Sequence, residues 1–205
     1  EISPHAISCA TDRNITKSIK DIDSFLIECN EHLKFSALVV MINDPERSRI
    51  AKEIVDRTLI DGSEEEITRL LHFLKHSDYD ISEHLILKYL NSKNSELITQ
   101  TLGMISQRHQ EKYLSNIILL LESKNVSNAA EKALLRYDKK IVCEKLLKYL
   151  SSSRSTYETK VSILGLLHQF EDRKIAKTIL SSILKLLGKE KIEKKLFKEL
   201  TIIFQ

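Results

Sequence analysis

The sequence is poor in the residues that break helices and shape tight turns. It holds only four Gly and two Pro in 205 residues, and it has no Trp. A β-sandwich or β-barrel of this length would need many more turn residues than that. The scarcity therefore favours long helices joined by short turns and predicts an all-α protein.

Long apolar segments and a disulfide framework are also missing. The best apolar run covers residues 37–42, far below the roughly 20 residues that span a bilayer, and no signal-peptide pattern opens the chain. Cys9, Cys29 and Cys143 form no CxxC motif and are odd in number, which favours a reducing compartment such as the cytoplasm. Because the first residue is Glu1 rather than Met, we expect a fragment of a longer protein, which can itself be membrane-attached.

Recognisable motifs for catalysis and cofactor binding do not occur in the sequence. There is no Gly-rich phosphate loop, no GxSxG motif and no HExxH motif. His72 and His76 have the i, i+4 spacing that places two imidazoles on one helix face, but histidines at a helix end are more often solvated than metal-bound. The sequence thus predicts no catalytic residue, no cofactor and no metal.

One phrase of the sequence occurs three times, with variations. LKYLNSKN at residues 87–94 returns as ILLLESKN at 118–125 and as LKYLSSSR at 147–154, at offsets of 31 and 29 residues. A helical hairpin with one apolar face cannot bury that face alone, whereas stacked copies make a continuous core. We therefore expect the fourth residue of each phrase, Leu90, Leu121 and Leu150, to be buried at equivalent places.

Apolar residues recur at helical spacing from about residue 64 onward, in segments separated by short polar breaks. Ser63 with Glu66, and Ser155 with Glu158, each fit a capping box that opens a helix. Helix starts are expected near residues 65, 94, 126, 155 and 189, which is one helical hairpin per period.

The hairpin period and the stretch NDPERSR at residues 43–49 resemble HEAT repeats. In that family an Asp-Pro turn opens the second helix and an Arg a few residues on reaches an Asp of a neighbouring repeat, a pattern that Asp44, Pro45 and Arg49 match. The resemblance implies an armadillo-like α-solenoid, a right-handed superhelix of about five stacked helical hairpins over residues 31–205. Residues 1–30 are expected to form an N-terminal helical cap.

Charge is distributed unevenly along the chain. Residues 1–90 hold 17 acidic and 11 basic residues, a net charge of −6, whereas residues 91–205 hold 12 and 21, a net charge of +9. A solvated lysine-rich face, alternating with Glu131, Glu144 and Glu158, explains the basic half better than a binding site does. The candidate basic binding patch comprises Lys132, Arg136, Lys139, Lys140, Lys145, Lys148 and Arg154.

These features favour a non-catalytic scaffold whose surface binds a protein partner, because helical arrays present extended surfaces to peptides and domains. Two alternatives remain open. The basic half is also compatible with nucleic acid, although no aromatic residues are interleaved with the lysines. The chain is also compatible with a soluble regulatory domain of a membrane transporter or receptor.

Overall fold

A computed structural model describes residues 31–45, 47–150 and 156–170. Within these ranges the chain forms α-helices and two short 3-10 segments, Glu111–Tyr113 and Leu120–Glu122, with no strand, so the all-α prediction is confirmed. The predicted cap over 1–30 and the helix start near 189 lie outside the described residues. The α-helices are α1 (Glu31–Ile42), α2 (Ser48–Asp61), α3 (Glu64–Leu74), α4 (Glu83–Leu90), α5 (Ser95–Gln107), α6 (Leu114–Leu119), α7 (Ser127–Leu134), α8 (Lys139–Leu150) and α9 (Tyr157–His168).

The chain divides into two compact units, one ending at Met104 and the other beginning at Ile105. In the first unit α1, α2 and α3 pack on one another. Helix α2 contributes Ala51, Val55 and Leu59, whose four-residue spacing places them on one buried face. None of the helices in the described ranges has the length and apolarity that crossing a bilayer requires.

Helix α3 starts with the predicted capping box. The Ser63 hydroxyl accepts a hydrogen bond from the Glu66 backbone N–H (3.2 Å), and the Glu66 carboxylate accepts one from the Ser63 N–H (2.8 Å). These two bonds satisfy backbone donors that a helix start would otherwise leave without partners. The Ser63 backbone N–H first, and the nearby Ser63 hydroxyl second, lower the pKa of the Glu66 carboxyl from its ordinary value.

The Asp-Pro turn differs from the pattern that the resemblance implies. Helix α2 begins at Ser48 rather than at Pro45, and its N-cap is Arg47 without a side-chain cap. Arg49 pairs with Glu53 one turn further along the same helix, with an Nε–Oε1 distance of 3.2 Å. The expectation that Arg49 reaches a neighbouring repeat is therefore wrong, because a closer carboxylate is available at i+4.

The second unit contains the other two copies of the repeated phrase. Helix α7 packs on α6 and on the 3-10 segment that follows α6, while α8 packs on α6 and α9. The middle phrase is not a full helix, because α6 ends at Leu119 and residues 120–122 tighten into the 3-10 segment. Helix α9 is capped by Thr156, whose hydroxyl accepts from the Thr159 N–H, one residue later than the Ser155 cap that the sequence predicts.

Two tyrosines at equivalent positions of the phrase reach back by about one repeat. Tyr89 is buried, and its hydroxyl donates a hydrogen bond to the Leu59 carbonyl in the last turn of α2, 30 residues earlier. Tyr149 is half-buried and donates to the Glu122 carboxylate at 2.9 Å, 27 residues earlier. The Tyr89 bond satisfies a carbonyl that has no partner inside its own helix. Burial raises the pKa of Tyr89, so its hydroxyl stays protonated as a donor.

The fourth residues of the three phrases, Leu90, Leu121 and Leu150, have exposed fractions of 3%, 4% and 7%, so their predicted burial is confirmed. Replacing each leucine in turn by alanine should lower the free energy of unfolding by about 2 to 5 kcal/mol, through lost transfer energy and the cavity left behind. Urea denaturation of the three variants measures this. A loss below about 1 kcal/mol at any one leucine would contradict its place in the core.

The two tyrosines of the phrase should respond differently to loss of the hydroxyl. Tyr89→Phe leaves the buried Leu59 carbonyl without its partner and should cost about 1 to 3 kcal/mol of unfolding free energy. Tyr149→Phe removes an exposed bond and should stay within about 0.5 kcal/mol of the unsubstituted chain. Both variants keep the aromatic ring, so each controls for the other in thermal or urea denaturation. Equal losses of unfolding free energy in the two variants would show that the Tyr89 hydrogen bond stabilises the chain no more than the Tyr149 bond does.

Candidate protein-binding surface

The predicted basic residues meet around the turn that joins α7 to α8. Lys132 lies in the last turn of α7, and the backbone stays helical at Leu135, with φ −64° and ψ −13°. Lys132, Leu135 and Arg136 therefore stand at i, i+3 and i+4 and share one face. All three side chains are exposed.

Helix α8 carries the next four predicted residues, but only two of them lie close to the turn. Lys139 and Lys140 lie exposed in its first turn. Lys140, Glu144 and Lys148 follow at intervals of four, so a carboxylate lies between the two lysines along this row. Lys145 stands next to that row, at i+1 from Glu144, and is half-buried. The row of Lys140, Glu144 and Lys148 therefore matches the interpretation of these charges as a solvated helix face.

The structure therefore brings together only part of the predicted patch. We define the basic turn surface as Lys132, Leu135, Arg136, Lys139 and Lys140. Lys145 and Lys148 lie further along α8, and Arg154 lies outside the described residues. Leu135 was not singled out from the sequence, where it looks like one more apolar residue in ALLRY, although it is 39% exposed.

A buried tyrosine holds this turn in place. Tyr137 is 4% exposed, and its hydroxyl lies 3.1 Å from the Ile105 carbonyl and 3.4 Å from the Gln110 carbonyl. Burial, followed by the nearby charge of Glu111, raises the pKa of Tyr137. The phenol therefore remains a hydrogen-bond donor, and the turn is tied to the end of α5.

The start of α8 is also fixed by a side chain. The Asp138 carboxylate accepts hydrogen bonds from the backbone N–H groups of Lys140 (3.0 Å) and Ile141 (3.1 Å). This is the N-cap arrangement, which satisfies two donors at the helix start. With Tyr137 on one side and Asp138 on the other, the basic turn surface stands on a backbone with defined hydrogen bonds.

The end of α5, where Tyr137 is anchored, contains an unusual backbone. His109 has a φ of +50°, in the left-handed region that favours glycine. The N–H of Gln110 bonds the Ile105 carbonyl and the N–H of His109 bonds the Ser106 carbonyl, which together form a Schellman motif. The His109 ring packs edge-on against Tyr137, with ring centroids 6.1 Å apart. No sequence pattern singled out His109, because a Schellman stop is normally read from glycine.

The other candidate ligands and nucleophiles do not converge. His72 lies exposed in the last turn of α3 with its ring edge-on to Phe73, and His76 is exposed beyond the helix. Cys143 is buried within α8. In the part of the chain that the structure describes, no three His, Cys, Asp or Glu side chains are grouped so as to hold a metal ion.

The chain matches no protein-family model, no curated protein and no solved structure. Its function is therefore inferred from its own residues and contacts.

His109→Gly tests the left-handed turn that supports Tyr137. A residue with a Cβ costs about 1 to 2 kcal/mol in this backbone region, whereas the edge-on ring contact returns about 0.5 to 1.5 kcal/mol. We expect His109→Gly to raise the free energy of unfolding by up to about 1 kcal/mol. His109→Ala should lower it, since alanine keeps the backbone cost and loses the ring.

Urea denaturation of both variants separates the two contributions. Equal destabilisation by glycine and alanine would show that the contact with Tyr137 outweighs the backbone strain at His109.

Proposed function

We propose that the chain is a HEAT-like helical repeat array, a right-handed superhelix of about five hairpins, whose surface binds a protein partner without catalysis. The observation that carries the proposal is the recurrence of side-chain links at repeat distance. Tyr89, Tyr137 and Tyr149 each bond to a group 27 to 32 residues earlier in the chain. Such links are expected where each hairpin packs on the one before it.

The helix spacing supports the same proposal. Helices α3, α5, α7 and α9 begin at Glu64, Ser95, Ser127 and Tyr157, at intervals of 31, 32 and 30 residues. Within the first unit α1 packs on α3, and within the second unit α6 packs on α8. Contacts between every second helix are typical of stacked hairpins, in which equivalent helices of successive repeats lie side by side.

A protein partner accounts for the basic turn surface better than a catalytic or small-molecule role does. The surface carries an exposed leucine among cations and rests on a backbone held by hydrogen bonds. Protein interfaces combine an apolar anchor with a polar rim in this way. The proposed setting is the cytoplasm, where an exposed array meets other proteins.

Nucleic acid is the second candidate, favoured by the net charge of +9 over residues 91–205. Phosphate contacts depend on cations that are not offset by nearby carboxylates. Glu144 stands between Lys140 and Lys148, and Leu135 occupies the middle of the strongest cluster. The exposed leucine fits a protein segment better than a phosphate backbone, and Glu144 limits the anionic contacts available along α8.

Selection of a random peptide display library on the full chain tests the proposed function. We expect enrichment of peptides that share a motif and bind saturably when resynthesised, because a surface with a few anchor residues selects for their complements. Binding to a random-sequence DNA duplex should be weak at physiological salt.

Two outcomes would contradict the proposal. One is a selection that enriches no shared motif. The other is tight duplex binding whose logarithm falls with log salt at a slope of about −3 to −5, as three to five phosphate contacts require. Fluorescence anisotropy across a salt series measures that slope, with a heparin competition as a check on charge-driven binding.

A further inference from the structure

Leu135 is exposed in an environment unlike that of the other exposed apolar residues. Among the described residues, the large hydrophobic side chains left exposed are Ile50 (49%), Ile60 (56%), Leu119 (51%) and Leu135 (39%). Ile50 and Ile60 lie on α2 among both acidic and basic residues, and Leu119 follows Ser115 and Asn116 on α6. Leu135 alone among these four has cations at i−3, i+1, i+4 and i+5, which are Lys132, Arg136, Lys139 and Lys140.

These four cations have no carboxylate partner within the described part of the chain. In the first unit, by contrast, ion pairs join Arg47 to Asp44, Arg49 to Glu53 and Arg69 to Glu65. Asp138 lies in the same turn, but its carboxylate accepts from backbone N–H groups of α8. The positive charge of the basic turn surface is therefore directed to solvent.

The position of Lys139 and Lys140 adds to that charge. They stand in the first turn of α8, which contains no acidic residue, at the end of the helix where the dipole is positive. Cations there oppose helix stability, and carboxylates are the favoured residues at such positions. The positive charge at this end of α8 therefore favours the binding of an anion, which would relieve the unfavourable interaction of the two lysines with the helix dipole.

The surface is also preorganised for binding. Tyr137 ties the turn to the carbonyls of Ile105 and Gln110, and Asp138 caps α8. A surface held in this way loses little conformational freedom when a partner binds, so more of the contact energy appears as affinity.

We propose that the basic turn surface docks an acidic segment of a partner protein, with one apolar side chain of that segment packed against Leu135. Carboxylates of the segment pair with Lys132, Arg136 and Lys139, and Arg136 can hold one of them through two parallel hydrogen bonds. A nucleic acid backbone would meet the same cations but offers no apolar side chain to pack against Leu135. This inference rests on the proposed protein-binding function and assigns its site and partner class.

The test uses the full chain and a short fluorescein-labelled peptide built from Glu, Asp and Ser around a single Leu. A second peptide carries Ser in place of that Leu. Fluorescence anisotropy should show saturable binding of the first peptide, and binding of the second should be about threefold to tenfold weaker because the apolar contact is lost.

Two variants, each with a matched control, locate the site. Lys132→Glu combined with Arg136→Glu and Lys139→Glu should weaken binding about tenfold or more, whereas the same charge change at exposed Lys52, Lys88 and Lys93 should weaken it far less. Leu135→Ser should remove the difference between the two peptides, and Leu119→Ser, at another exposed leucine, should preserve it. All of the substituted side chains are exposed, so the variants should retain the unfolding temperature of the parent chain.

Several results would overturn the proposal. Equal weakening by the two triple variants would mean that binding follows net charge alone, and an unchanged difference between the peptides in Leu135→Ser would remove the apolar anchor. Self-association of the chain that disappears in Leu135→Ser would make the occupant a second copy instead. If library selection yields a shared motif whose binding ignores both variants, the protein-binding function stands and this site assignment is wrong.

Discussion

The packing of this chain depends on satisfying carbonyl groups that helix ends leave buried. Packing apolar helix faces together buries the last turns of helices, where water cannot reach the carbonyls. Tyr89 supplies a hydroxyl to the Leu59 carbonyl and Tyr137 supplies one to the Ile105 carbonyl. A leucine in place of Tyr89 would give the same apolar burial but would leave the Leu59 carbonyl without its hydroxyl donor. The Ile105 carbonyl also accepts from the Gln110 N–H, so there the Tyr137 hydroxyl is a second donor.

The same constraint shapes the surface. Because Tyr137 must point inward to reach its acceptors, the residues beside it in the turn must point outward. Leu135 and Arg136 are on that outward side, so an apolar residue is exposed next to cations beside a tyrosine with an internal hydrogen bond. The acidic first turn of α3, capped by Ser63, shows the opposite arrangement, in which charge supports the helix itself.

Much of the helical organisation could be predicted from the sequence, because periodic apolar residues and short polar breaks are local signals. The burial of Leu90, Leu121 and Leu150 and the Ser63–Glu66 capping box are confirmed on that basis. The partner of Arg49 was predicted wrongly, because Arg49 pairs with Glu53 on its own helix rather than with an Asp of a neighbouring repeat. The division of the basic patch could not be foreseen either. Lys145 and Lys148 look alike in sequence, but in the structure Lys145 is half-buried and Lys148 is exposed. His109 carries no sequence signal for its left-handed backbone.

The tyrosine links also bear on how the chain folds. Each connects residues that are no more than 32 positions apart, so none requires the closure of a long loop. Proteins whose contacts are this local in sequence fold quickly, because little chain entropy is lost before contacts form. On a ribosome, the segment ending at Tyr89 holds both partners of its own bond and can settle before the segment around Tyr137 has been synthesised.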